Sequence, residues 1–124
     1  ILGTAQTLKE LGEDGVGIAI SQVVPMPSAS STPVVREFQA AWKELGVSQE
    51  PSHLALEGFI NARAFVLAMQ RAGRNATREA FIDSTWKLDQ QDLGGFVLRF
   101  TAPGAHASRF IELTMVGRGG RFIR

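Results

Sequence analysis

Apolar positions along this chain fall at two spacings, one helical and one alternating, and the longest helical stretch lies near the middle. Residues 51–73, PSHLALEGFINARAFVLAMQRAG, place Leu54, Leu56, Phe59, Ile60, Phe65, Val66, Leu67 and Met69 among alanines. At 3.6 residues per turn these cover more than one face, which predicts a central helix packed on several sides. Pro51-Ser52 is a start signal, because the serine hydroxyl can accept an early backbone N–H, and Gly73 supplies a left-handed stop. Past His53 the charged residues are Glu57, Arg63 and Arg71, with Glu57 near the positive end of the helix.

Ahead of this segment, Ala5, Leu8 and Leu11 predict a short amphipathic helix capped by Thr4 and ended at Gly12. Residues 17–24, GIAISQVV, are rich in β-branched side chains and bounded by turns, which predicts a buried strand. Prolines at 25, 27 and 33 make the next segment a crossover. Thr32 with Pro33 then opens a helix whose apolar face is Val34, Phe38, Ala41, Trp42 and Leu45, stopped by Gly46.

Beyond the central helix, Thr77 caps another, with Glu79 in its first turn and Phe81, Ile82 and Trp86 turned inward. Asn75-Ala76-Thr77 also matches a glycosylation sequon, but the cap accounts for Thr77 without it. Residues 88–95 read as a polar loop, and 96–100 as a strand with Phe96, Leu98 and Phe100 on one face. In 109–116 Ile111, Leu113 and Met115 share one face, and Phe110, Glu112, Thr114 and Val116 the other. Gly117-Arg118-Gly119-Gly120 then closes a terminal hairpin into Arg121-Phe122-Ile123.

Composition narrows the function. The 124 residues, 44% hydrophobic, suffice for one core, and a net charge of +1 without a basic stripe argues against a nucleic-acid partner. No run approaches the roughly 20 apolar residues needed to span a bilayer, since Glu57, Asn61, Arg63 and Gln70 interrupt the central segment. Without cysteine there are no disulfides, thiolate metal sites or cysteine nucleophiles. The opening ILGTAQT has no basic leader and no Met, so the chain reads as beginning inside a longer protein.

Catalytic and metal constellations are missing. His53 and His106 lack a partner at metal-ligand spacing and read as surface or cap histidines. No serine lies in a Gly-x-Ser-x-Gly elbow. Gly15-Val16-Gly17 precedes a strand, where a dinucleotide fingerprint would follow one. The glycines at 117–120 suit a hairpin better than an anion nest. The expectation is a non-enzyme with no cofactor and no metal.

The succession GIAISQVVP, PVVREFQAAW, LALEGFINARAFVLAMQRAG, TREAFIDS, DLGGFVLRF and SRFIELTMVGRGGRF resembles the C-terminal third of the periplasmic receptors for branched-chain amino acids, the type I periplasmic binding proteins. The resemblance implies part of a two-lobed α/β clamp with Rossmann-like lobes, here three to four helices plus a C-terminal hairpin. Residues 1–24 and about 96–124 would belong to the second lobe, about 33–90 to the first. Val24, Pro25, Met26 and Pro27 would form a hinge crossing. Leu54, Ala55 and Glu57 would face a ligand cleft from the first lobe, and Gly3-Thr4 from the second. The implied role is the solute-binding component of an ABC-type importer, periplasmic, with a signal peptide upstream. Its partners would be an amino acid or similar small carboxylate or amide and a membrane permease. The alternative is a ligand-sensing clamp attached to a signalling or regulatory partner. The family's main recognition groups, and most of the parallel strands on which these helices would pack, lie outside this stretch. The apolar surface left on the central helix is therefore expected either to force a rearranged compact fold or to drive exchange of elements within a homo-oligomer.

Overall fold

The computed structural model describes residues 4–123, with side chains described from Leu8 onward. Helix α1 (Thr4–Leu11) includes Thr4 rather than being capped by it, and runs into a 3₁₀ turn at Gly12–Gly15. Strand β1 (Ala19–Gln22) leads through the crossover to α2 (Pro33–Glu44), α3 (His53–Ala72) and α4 (Arg78–Trp86). Two short strands, β2 (Gln91–Asp92) and β3 (Val97–Leu98), precede β4 (Glu112–Val116) and β5 (Phe122–Ile123).

Local signals set the helix ends. Ser52 Oγ accepts the Ala55 N–H at 3.1 Å, Thr77 Oγ1 accepts that of Ala80 at 3.2 Å, and Gly73 closes α3 at φ 83°. Pro33 opens α2 as expected, but Thr32 contributes through its carbonyl, which accepts the Arg36 N–H at 3.2 Å. Its hydroxyl is buried and unpartnered among the described residues.

The core lies between α2, α3 and the β2–β3 hairpin: Val34, Val35, Phe38, Leu56, Ile60, Leu93, Phe96 and Leu98, closed by Val24 of the crossover. Phe38 meets both Trp42 and Phe59 with ring centroids 5.6 Å apart. Each such large side chain contributes about 1.5–3 kcal/mol on burial, so this cluster dominates the packing. In the turn between β2 and β3, Asp92 Oδ1 accepts the N–H groups of Gly94 and Gly95 at 2.8 and 2.6 Å. Arg71 ties the end of α3 to the Lys87 carbonyl and to Gln91. An ion pair, Arg63 with Glu37, joins α3 to α2.

The second packing unit is an antiparallel sheet in the order β1-β4-β5, with Ala19 opposite Met115 and Met115 opposite Ile123. Thr114, buried, donates its hydroxyl to the Ile20 carbonyl at 3.2 Å. The α1 helix packs on its own 3₁₀ turn, which in turn meets the turn at Arg118–Gly120.

Several expected inward faces point outward. Leu45, Ile82 and Trp86 are exposed, and so are Leu54, Phe65, Val66 and Met69 of α3, which packs against α2 and α4 rather than all round. The buried strand expected at 17–24 is a four-residue edge strand flanked by exposed Ile18 and Val23. Along β4 the alternation holds, with Thr114 and Val116 buried while Leu113 is 69% exposed beside exposed Ile111 and Met115. Periodicity identifies the face that would be buried, and the described residues supply no layer to cover it. The loop expected at 88–95 hides two core leucines, Leu88 and Leu93, and a strand.

Candidate binding cleft and the crossing beside it

The end of β1, the crossover, the start of β4 and the first turn of α3 converge at one junction. Val24, Pro25 and Pro27 are buried. Between the prolines, Met26 donates its N–H to Glu112 Oε2 at 2.9 Å, and Gln39 Nε2 donates to the Pro27 carbonyl at 2.7 Å. The crossover is therefore fastened to β4 on one side and to α2 on the other. Gln22 stands opposite Glu112 in the ladder and is 7% exposed, its Nε2 unpartnered among the described residues.

His53, the first residue of α3, lies edge-on to Phe122 of β5, with centroids 5.3 Å apart and planes at 86°. Its Nε2 is buried and also has no partner among the described residues. Burial lowers the pKa of this imidazole from the ordinary histidine value, and the negative charge of Glu112 opposes that effect without overcoming it. His53 is thus an interior junction residue in part, whereas His106 is exposed as expected.

The residues assigned to the cleft sit next to this junction. Leu54 is 70% exposed, Ala55 half-buried with its N–H held by Ser52, and Glu57 half-buried. The helix itself brings these three together. Its N-terminus leaves the N–H groups of His53 and Leu54 without acceptors among the described residues, a positive end open to an anion. Thr4 stands apart on α1, its side chain outside the described ones, and Gly3 lies outside the described residues. A separate open groove of about 410 Å³ runs between α1 and the last hairpin turn, lined by Leu8, Lys9, Gly12, Gly119, Gly120 and Phe122.

Gln22, Glu112 and Phe122 were not among the sequence-assigned site residues. For Glu112 a signal existed, since a carboxylate on the inward face of β4, in line with Thr114 and Val116, must be near an acceptor-hungry group.

The family profile described as periplasmic binding protein matches residues 1–121. The chain belongs to the periplasmic binding protein family. Solved members superpose closely on it. A substrate-binding periplasmic protein from Ralstonia solanacearum is 35% identical with a TM-score of 0.84, covering 97% of this chain and 35% of that one. An extracellular ligand-binding receptor from Verminephrobacter eiseniae is 31% identical, also at 0.84, covering 98% and 35%. A possible leucine/isoleucine/valine-binding protein from Rhodopirellula baltica is 27% identical at 0.85, covering 99% and 34%. The chain therefore spans about a third of the length of the solved periplasmic binding proteins it matches. No curated protein matches it. The family is one of binding proteins rather than enzymes, and the fold here is a partial α/β arrangement of that type.

Proposed function

We propose that this chain is the C-terminal part of an extracytoplasmic solute-binding component of an ABC-type importer, whose full form closes on a branched-chain amino acid or a similar small carboxylate or amide. The observation that carries the reading is the family match over residues 1–121 together with 35% identity and a TM-score of 0.84 to a substrate-binding periplasmic protein. In this reading the α1–β1–β4–β5 unit belongs to one lobe and the α2–α4 unit to the other, with residues 24–27 as one crossing between them. Leu54, Ala55, Glu57 and Thr4 line the cleft, and the closed form docks on a membrane permease. A signal peptide precedes the chain and directs it to the periplasm.

Two features support it. Among the described residues the helices α2–α4 pack little on β1, β4 and β5, His53 on Phe122 being one contact, and the crossover is tied to the sheet at Met26, which suits rotation about a crossing. The open N–H groups at the start of α3 suit a ligand carboxylate. The test is a thermal-shift titration of the protein extended with its upstream sequence, using leucine, isoleucine, valine, aromatic acids and small amides. Ligand at a hundredfold over Kd adds about 2.7 kcal/mol to stability. A saturable rise in Tm reduced by Glu57→Ala is expected, and no rise with any of these compounds would overturn the ligand class.

A further inference from the structure

His53 occupies a position that a neutral imidazole fills well and an imidazolium fills badly. Its ring lies edge-on to Phe122, and its Nε2 is shut off from water with no partner among the described residues. A neutral ring carries one N–H donor and one acceptor nitrogen, so Nε2 can sit as an unprotonated lone pair, while a charged ring carries two N–H donors, and an orphaned charged donor is the costlier kind. The backbone adds to the disfavour, because His53 is the first residue of α3 and the N-terminus of a helix is its positive end.

The surroundings offer limited compensation. Glu112 faces the ring from β4, but its Oε2 already accepts the Met26 N–H. On β1 the residue opposite Glu112 in the ladder is Gln22, a neutral amide. On α3, Glu57 lies one turn on, at i+4 and half-buried. From β5 the contact is Phe122, preceded by exposed Arg121, which bears the same sign of charge as an imidazolium. The crossover, residues 23–32, contains no charged side chain.

We propose that His53 is a proton-sensitive wedge between the helical layer and the sheet: neutral, it seats against Phe122 and holds α3 on β5, and on taking up a proton it leaves that seat and loosens the crossing. The device goes beyond the binding role and needs no ligand to operate. Burial lowers the pKa of this group from 6.5, the Glu112 charge being the smaller, opposing cause. A histidine that binds its proton less readily folded than unfolded contributes stability that is complete above the unfolded value and declines as pH falls from there toward the lower folded value. Mild acid therefore opens the junction, and neutral pH closes it.

NMR titration of the protein extended with its upstream sequence, without added ligand, tests this, following the imidazole Hε1 signals, the Phe122 ring signals and hydrogen exchange at the Met26 amide. His53→Gln assigns the resonance. The expected result is a His53 midpoint below 6.5, a Phe122 ring shift with the same midpoint, and faster Met26 exchange below it. Glu112→Gln keeps an acceptor for Met26 yet removes the attraction, so it lowers the midpoint further. Phe122→Ala admits water and raises it toward 6.5. These two variants retain the histidine and carry the test even if His53→Gln folds poorly. A His53 midpoint at or above 6.5, or Phe122 signals that do not follow the titration, would overturn the proposal. Ligand is absent throughout, so failure here is distinct from failure of the transport reading.

Discussion

Glu112 satisfies the backbone of Met26 across 86 residues of chain, its Oε2 2.9 Å from that N–H. Met26 lies between two buried prolines in a segment with no ladder of its own, so its donor depends on a side chain. Glu112→Ala should destabilise the protein by about 1–3 kcal/mol, and Glu112→Gln by clearly less, because the amide oxygen still accepts. Urea denaturation of the two variants checks the order.

Gly94 sits at φ 93°, and a Cβ there would fall 2.9 Å from Pro33 Cβ and 3.0 Å from Val34 N. Gly94→Ala combines backbone strain with a clash against the start of α2, and should cost about 2–4 kcal/mol. Gly46 also has a positive φ, 65°, but open space around it, so Gly46→Ala should cost only about 1 kcal/mol. Thermal melts of both variants separate the clash from the strain.

Ser52→Ala and Thr77→Ala each remove a cap bond and should each cost about 1 kcal/mol, adding nearly independently. Thr32→Val has the opposite expectation. It replaces a buried, unpartnered hydroxyl with a methyl group on extended backbone, at φ −115° and ψ 147°, and should be neutral or stabilising by about 1 kcal/mol. Chemical denaturation of the three variants provides the comparison.

Ile111, just ahead of β4, and Leu113 and Met115 on it stand exposed, with Ile123 of β5 beside Met115. Such a face seeks cover, so the isolated chain should associate as concentration rises. Replacing Leu113 and Met115 together by Lys should shift sedimentation toward the monomer. A wild-type chain that sediments as a folded monomer at high concentration would refute this expectation.

Much of the fold was legible because its signals are local. Ser52, Gly73, Thr77 and Pro33 mark helix ends through bonds or angles involving their own neighbours, and the helices begin and end where those residues predict. The alternation in β4 was equally readable. Which apolar faces are covered was not, because Leu45, Ile82, Trp86 and Phe65 obey the helical period whether or not a neighbouring layer exists. Leu88 and Leu93 were hidden among polar residues, and the Gln91–Asp92 strand is too short and polar for any periodicity to reveal. At the junction, the meeting of His53 with Phe122 joins residues far apart in sequence through tertiary packing alone, so neither residue signals the other. The motifs of the family, rather than periodicity, pointed to the first turn of α3.

Thr114 and Ile20, joined across 94 residues, also constrain the order in which this molecule assembles. The helices between them close short loops, while the pairing of β1 with β4 closes a far longer one. Pairing of β1 with β4 is therefore expected to follow formation of the helices. Until β4 is made, β1 lacks that partner, and a strand edge with Ile18 and Val23 at its ends is open to pairing with another chain.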